Sequence, residues 1–253
     1  MKKPVLYVQE HSEIKRRLAF DFCYSALLGA AEAGIKCKTF RDSLTIPFER
    51  TSIIVGSVEQ SHRWLKAVGV TVPSAIALEK FNADHLGRKI ERASIQEARA
   101  SALADFNSSK FTNFFIKPSR HIKGFTGFIV DDPRLISLWS ENFDGEVYKQ
   151  DVVDIVSEYR LYVSLGKMLG MFHYSGDYFK YPNPEIIKAV KCSADDLGYQ
   201  SYTLDFGVLA DGRTILIEAN DAYAIGNYGL EPSDYYQFVK NRWLQITGVR
   251  KSF

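Results

Sequence analysis

The sequence predicts an α/β (α+β) protein, a small N-terminal α/β layer followed by a larger strand-rich unit. Three observations carry this. The first third alternates short apolar runs with helical runs. From Phe111 onward strand-like segments follow one another, and two of them flank an Asp-Gly turn. The 253 residues are 46% hydrophobic and 25% charged, a globular composition with room for one large or two modest domains.

Val5–Val8 is a short apolar run suited to a buried strand. Ser12 is placed to cap a helix running to about Ala33, with Ile14, Leu18, Phe22, Leu27 and Leu28 at helical spacing and Gly34 as its stop. Ile35–Phe40 and Ser52–Val55 read as the next strands. Ser57 caps a helix carrying Trp64, Leu65 and Val68, and Val70–Val72 reads as a fourth strand stopped by Pro73. Asp84–Asp105 is charged, Ala-rich and helical in pattern, a solvated amphipathic helix. Seven strands are expected beyond it: Asn113–Lys117, Phe128–Val130, Glu146–Gln150, Glu158–Ser164, Met168–Tyr174, Ser201–Leu209 and Thr214–Glu218. Leu165-Gly166-Lys167 and Ala210-Asp211-Gly212 mark hairpin turns, Pro182–Leu197 an inserted helix and Asp234–Ile246 a closing one. The expected division is residues 1–80 and 81–253.

Charge and cysteine content exclude several classes. Thirty-two Lys and Arg against 30 Asp and Glu leave +2, too little for nucleic-acid binding by bulk charge. Cys23, Cys37 and Cys192 form no CxxC pair, so neither a disulfide framework nor a thiolate zinc site is expected, and a reduced, cytoplasmic setting fits. The apolar stretch VLYV is too short for a signal peptide, and no apolar run approaches the ~20 residues that span a bilayer.

Three segments can carry chemistry. Around the Asp-Gly turn, Asp205 falls opposite Glu218, and Asn220 shares a strand face with Glu218. Two carboxylates and an amide oxygen there are hard ligands of the kind Mg²⁺ takes beside phosphates; ordinary polar residues on a half-solvated sheet are the alternative. In Phe114–Val130, Lys117 closes an apolar strand, and a loop with Lys123, Gly124, Thr126 and Gly127 follows. Glycines let backbone N–H groups approach phosphate and lysines add charge, although the spacing is not that of a P-loop and, taken alone, the segment reads first as a plain Gly-containing hairpin with solvated lysines. In Tyr148–Tyr162, Glu158 and Arg160 share a face, either as a structural ion pair or with the arginine poised for phosphate or carboxylate.

Taken in order, the lysine strand, Gly-containing hairpin, Q-D-V-V hinge, E-x-R strand and D…E-x-N hairpin over about Phe111–Leu230 resemble the ATP-grasp superfamily. Arg160 with Lys117 and Lys123, and the tail EANDAYAIGNYGL, resemble its clade named for one arginine and two lysines, common in phage and bacteria. The N-terminal layer resembles the superfamily's pre-ATP-grasp domain. The resemblance implies that Lys117 meets the α- and β-phosphates of ATP. It puts Lys123 on a flexible loop over the triphosphate, with Gly124, Thr126 and Gly127 lending N–H donors. Gln150, Asp151 and Val152 are then the hinge whose backbone recognises adenine, with Asp154 near the ribose. Arg160 meets the γ-phosphate or acyl-phosphate, and Asp205, Glu218 and Asn220 hold Mg²⁺. Many relatives carry Glu where this chain has Asp151.

The activity so implied is Mg-ATP-dependent ligation of a carboxylate to an amine through an acyl-phosphate, with a peptide or protein terminus as one candidate substrate. A phosphotransferase acting on a small molecule and a non-catalytic nucleotide-binding module are the alternatives. Asp221–Leu230 is expected to line the acceptor pocket with Asn227 and Tyr228 near substrate; a turn packing Tyr223 and Tyr228 into the core is the competing reading. The five histidines show no metal spacing. His121 lies in the loop, where it is either a plain loop residue or a phosphate contact, and His173 reads as a packed strand residue.

Overall fold

The computed structural model describes residues 3–14, 17–119, 124–139 and 142–249. Its first layer is β1 (Val5–Gln9), α1 (Asp21–Glu32), β2 (Lys36–Phe40), β3 (Ser52–Val55) and α2 (Val58–Ala67), with a parallel sheet in the order β2-β1-β3. Ser57 caps α2 as its sequence suggests, accepting from the Gln60 amide. Gly34, with φ +65°, lets the chain leave α1 in a left-handed turn. Two expectations are corrected. Helix α1 begins at Asp21 because the chain first doubles back along β1, with the Ala19 amide bonded to the Gln9 carbonyl at 2.9 Å. Val70–Val72 is no strand; the Val70 amide instead bonds the Leu65 carbonyl and closes α2.

The expected helix over Asp84–Asp105 is three elements: α3 (Ala83–Leu86), β4 (Ile90–Ser94) and α4 (Ile95–Asn107). Gly87, left-handed at φ +62°, ends α3, and Ser94 with Glu97 forms a reciprocal capping box that starts α4. A second sheet, antiparallel in the order β4-β7-β5-β6, adds β5 (Phe114–Pro118), β6 (Phe128–Val130) and β7 (Glu146–Asp151), with α5 (Arg134–Trp139) between β6 and β7. Ile95, Ala98 and Ala102 of α4 pack under it against Phe114, Ile116 and Val147.

The third sheet is antiparallel, β11-β10-β8-β9, from β8 (Ile155–Ser164), β9 (Lys167–Gly176), β10 (Ser201–Leu209) and β11 (Thr214–Asp221), with α6 (Pro184–Asp195) inserted. Leu165 and Gly166 both take positive φ, the two-residue hairpin conformation expected at that turn. Ile187 and Val190 of α6 cover Leu161, Leu204, Phe206 and Leu216, which leaves the alternate residues of the same strands on the other face.

The last helix, α7 (Pro232–Ile246), shares one hydrophobic cluster with the first layer. Trp243 stacks obliquely on Trp64 at 5.9 Å and donates its Nε1–H to the Ser52 carbonyl at 2.8 Å. The approach of α7 to α1 requires Gly29, where a Cβ would lie 1.9 Å from the Pro232 carbonyl oxygen. The site below thus lies where the second and third sheets face each other, closed on one side by a loop anchored to the first layer. Among the described residues no helix is long and apolar enough to cross a membrane.

Candidate active site

Strand register builds the site. Arg160 on β8 pairs with Asp205 on β10, and Asp205 pairs with Glu218 on β11, so three residues form one rung across three strands. Asp205 and Glu218 are therefore opposite, as the Asp-Gly turn implied. The ion pair is different. Arg160 bonds Asp205 and not Glu158, through Nε to Oδ1 at 2.8 Å and Nη2 to Oδ2 at 2.6 Å. Both are buried, at 6% and 1% exposure. Glu158 instead accepts from the Tyr174 hydroxyl at 2.7 Å.

A guanidinium offers five N–H donors, and Asp205 takes two. Glu218 Oε1 lies 4.0 Å from Nη2. The guanidinium rests on aromatic faces, 4.7 Å from the Tyr228 ring and 5.8 Å from Tyr174, and these rings stack on each other at 4.9 Å. Burial disfavours the charged arginine, but the Asp205 bonds outweigh it and hold the guanidinium above its usual range. Burial likewise pushes the Asp205 carboxyl up, against the pull of Arg160.

Glu218 joins the two sheets. Its Oε2 receives Lys117 Nζ from β5 at 3.3 Å, and its Oε1 receives the Asn220 amide at 2.8 Å. Burial would raise this carboxyl; Lys117, Asn220 and Arg160 together bring it down to about 2, so it is ionised at neutral pH. Asp205, Glu218 and the Asn220 carboxamide are hard oxygen donors with at least one carboxylate firmly ionised. They fit a Mg²⁺ ion that shares its shell with phosphate oxygens and water. Among the described residues no group of three His, Cys, Asp or Glu forms a fuller metal cage.

A cavity of about 370 Å³ opens on this rung, lined by Lys117, Arg160, Glu218 and Asn220, by Phe125 and Gly127 of the β5–β6 loop, and by Ala224–Gly226 and Tyr228. Gly127 is packed so closely that a Cβ would meet Phe115 at 2.5 Å and the Lys117 Cβ at 3.0 Å. The Tyr162 hydroxyl donates to the Gly226 carbonyl at 2.7 Å and accepts from the Tyr228 amide at 3.1 Å, fixing the 221–230 loop. Asn227 is not among the cavity-lining residues; its amide donates to Ser25 Oγ at 3.0 Å and the Leu230 carbonyl at 2.8 Å, tying the loop to α1. Tyr223 is buried with its hydroxyl 2.9 Å from His62 Nε2, while Tyr228 remains 43% exposed. Both tyrosines line the cavity, Tyr223 from a buried position and Tyr228 from an exposed one.

The expected hinge residues sit at the end of β7. Gln150 is buried, Asp151 accepts from the Lys89 amide at 3.0 Å, Val152 is exposed, and the Asp154 carbonyl accepts from the Ala210 amide at 3.0 Å. Gly124 packs against Phe143, and Thr126 lies beside Gly127 in the β5–β6 loop. Lys123 and His121 lie outside the described residues. His173 makes edge contacts with the rings of Tyr159 and Tyr178, the packed strand position expected of it.

Arg88 escaped the sequence reading because it falls in the segment taken for a solvated helix. It is half-enclosed and donates to Gln150 Oε1 at 2.7 Å, to the Leu86 and Leu216 carbonyls at 2.8 and 2.9 Å, and to the Ile217 carbonyl at 3.0 Å. It thereby clamps β7 to β11. Burial lowers it to about 10, opposed by Glu218 and Asp151. The left-handed Gly87 before it was the available signal, since a glycine there ends a helix.

The family model described as "ATP-grasp domain, R2K clade family 2" matches residues 85–238. No curated protein sequence matches the chain. Among solved structures, D-cycloserine synthetase DcsG is similar at 13% identity and a TM-score of 0.60, covering 97% of this chain and all of that one. A D-alanine–D-alanine ligase from Bacillus anthracis is similar at 12% identity and 0.56, over 98% and 99%. A RimK domain ATP-grasp protein from Sphaerobacter thermophilus DSM 20745 is similar at 13% and 0.56, over 96% and 98%. At these identities the structural likeness establishes the shared fold.

Proposed function

The chain belongs to the ATP-grasp domain family, R2K clade family 2, and from that premise we propose that it is an ATP-dependent ligase joining a carboxylate to an amine. The observation that carries this reading is the rung Arg160–Asp205–Glu218 with Lys117, which sets two fixed cations and the Glu218 carboxylate on one cavity, with Asp205 buried against Arg160.

A carboxylate is a poor acyl donor because its leaving group is oxide. Phosphorylation by ATP gives an acyl-phosphate, and amine attack then releases phosphate and forms the amide. Phosphoryl transfer is accelerated chiefly by positioning and by neutralising charge on the phosphoryl oxygens. Asp205 holds the edge of Arg160, so the remaining guanidinium N–H groups are oriented before substrate arrives. Lys117 brings a second cation from the facing sheet, and Lys123 would add a third. Asp205, Glu218 and Asn220 would hold Mg²⁺, which would supply Lewis acidity and a template for the phosphates. Tyr228 offers an apolar face to the acceptor substrate. The hinge at Gln150, Asp151 and Val152 takes the base, with Asp154 toward the ribose.

The test is mass spectrometry of the products from a pool of carboxylates, amino acids and peptides with Mg-ATP. ADP, free phosphate and a new amide are expected. ADP with a phosphorylated product and no amide identifies a phosphotransferase instead, and no ADP from any mixture removes the enzyme reading.

A further inference from the structure

A buried hydroxyl without a partner calls for an explanation. Ser119 is 3% exposed, and its Oγ has no hydrogen-bond partner among the described residues. Of the buried side-chain atoms left unpaired there, it is the one whose residue lines the cavity. Its backbone is held, because the Ser119 amide donates to the Glu146 carbonyl at 2.9 Å and extends the pairing of β5 with β7 by one residue.

Strand direction says which end of the cavity this is. Phe115 is opposite Gln150 and Lys117 is opposite Tyr148, so β5 runs away from the hinge as it passes Lys117. Ser119 follows two residues later on the same face, about 7 Å further at a strand rise of ~3.3 Å. With the base at the hinge and the phosphates at Lys117, Ser119 stands on the side where the γ-phosphoryl group is received. The walls on that side are apolar. The Tyr148 hydroxyl accepts from the Leu78 amide at 3.2 Å, which ties the segment carrying Ala75 and Ile76 to this face, and Phe125 and Ile225 line the cavity too. The acids of the lining are both engaged. Glu218 is held by Lys117 and Asn220, and Asp221 takes Arg242 on both oxygens at 2.6 Å. Among the described lining residues no carboxylate is left to balance a substrate ammonium, and burying that charge unpaired is costly.

Resting on the ligase reading above, we propose that this end of the cavity takes the acid to be ligated, as a carboxylate with an apolar body and no ammonium group, and that the Ser119 hydroxyl donates to it. One carboxylate oxygen attacks the γ-phosphorus and ADP leaves. Ser119 holds the other oxygen, which becomes the carbonyl of the acyl-phosphate.

The experiment gives the whole chain Mg-ATP, hydroxylamine as the amine, and N-acetyl-leucine, octanoate or leucine as the acid. Hydroxylamine nitrogen bonds the acyl carbon, the bond from that carbon to the phosphate oxygen breaks, and the nitrogen's proton leaves with phosphate, so product is read as hydroxamate. N-acetyl-leucine or octanoate should exceed leucine in kcat/KM by about tenfold or more. The better of the two tells a peptide-like acid from an acyl chain. Ser119→Ala should raise the KM of that acid about tenfold, the loss of one hydrogen bond, and leave the KM of ATP unchanged. Leucine equal to or better than both acids overturns the proposal. So does a Ser119→Ala chain in which the KM of ATP rises as much as that of the acid, or in which neither moves. If none of the three acids gives hydroxamate, this inference falls; the ligase reading falls with it only if the wider pool of carboxylates also yields no amide.

Discussion

Two buried arginine–aspartate pairs of nearly identical geometry sit in this protein. Arg160–Asp205 closes at 2.8 and 2.6 Å, and Arg242–Asp221 at 2.6 and 2.6 Å. Side-chain exposure is 7% and 2% in the first, 9% and 2% in the second. Both guanidiniums lie over aromatic rings, Tyr228 at 4.7 Å and Tyr199 at 4.5 Å. Their surroundings differ. Arg242 gives its third nitrogen to Gln245 at 2.8 Å, and Asp221 also accepts from the Ala222 amide at 2.7 Å, so every nitrogen of that guanidinium has a partner and the pair fastens α7 to β11. Arg160 lines the cavity, with a second carboxylate 4.0 Å away and a lysine beyond it. Burial and pair geometry alone do not separate a structural clamp from a candidate reaction centre. A guanidinium nitrogen left over after the pair has formed, and the further charges the pair faces, do.

That contrast can be broken most sharply at Glu218, which belongs to one pair's surroundings and not the other's. Glu218→Gln should lower turnover by about 10³-fold, roughly 4 kcal/mol of barrier, in a chain that still folds. Wild-type turnover would remove Glu218 from the site. Asp221→Ala should act in the opposite way. It strands Arg242 without its counter-ion and should destabilise by about 3–5 kcal/mol in urea unfolding, so a neutral result would undo the clamp assignment. Arg160→Lys keeps a charge but loses the bidentate fork and should reduce turnover about 10²-fold, with ATP affinity much less changed. A pure binding defect would take Arg160 out of the transition-state role. Tyr228→Leu removes one aromatic face under Arg160 and should cost about 1 kcal/mol in turnover, near fivefold. An equal loss of folding stability would make that tyrosine structural, like Tyr223.

The surroundings of the first pair also respond to acid. Glu218 is held below its unfolded value, so it contributes stability above about 4.5 that is lost as pH falls toward about 2. Acid unfolding should therefore be less steep over that window in Glu218→Gln than in the natural chain, as read by circular dichroism.

Much of this was legible in the sequence where the signals are local. The Asp211-Gly212 turn closes the hairpin, a one-residue bulge between Asp205 and Phe206 completes the register that brings Asp205 opposite Glu218, and two-residue alternation puts Asn220 on the same face. The capping serine Ser57 and the left-handed Gly34 delimit elements within one turn of themselves. The same local reading failed across Asp84–Asp105. An Ala-rich, charged window scores as one helix, and pairing of Ile90–Ser94 with β7 overrides that propensity through hydrogen bonds to a strand more than fifty residues away.

The sequence by itself determined the order of strands, turns and charged motifs, because periodicity and turn chemistry act over a few residues. Only the tertiary structure decided that Arg160 pairs with Asp205 and not with Glu158. Neighbours two apart on one strand stand about 7 Å from each other, whereas cross-strand partners stand near 5 Å, so register outranks proximity in the chain. It likewise decided that Arg88 clamps Gln150 to β11, and that the last helix completes the core of the first layer. These contacts join residues far apart in sequence, and they form only when the two sheets close on each other and desolvate the groups between them.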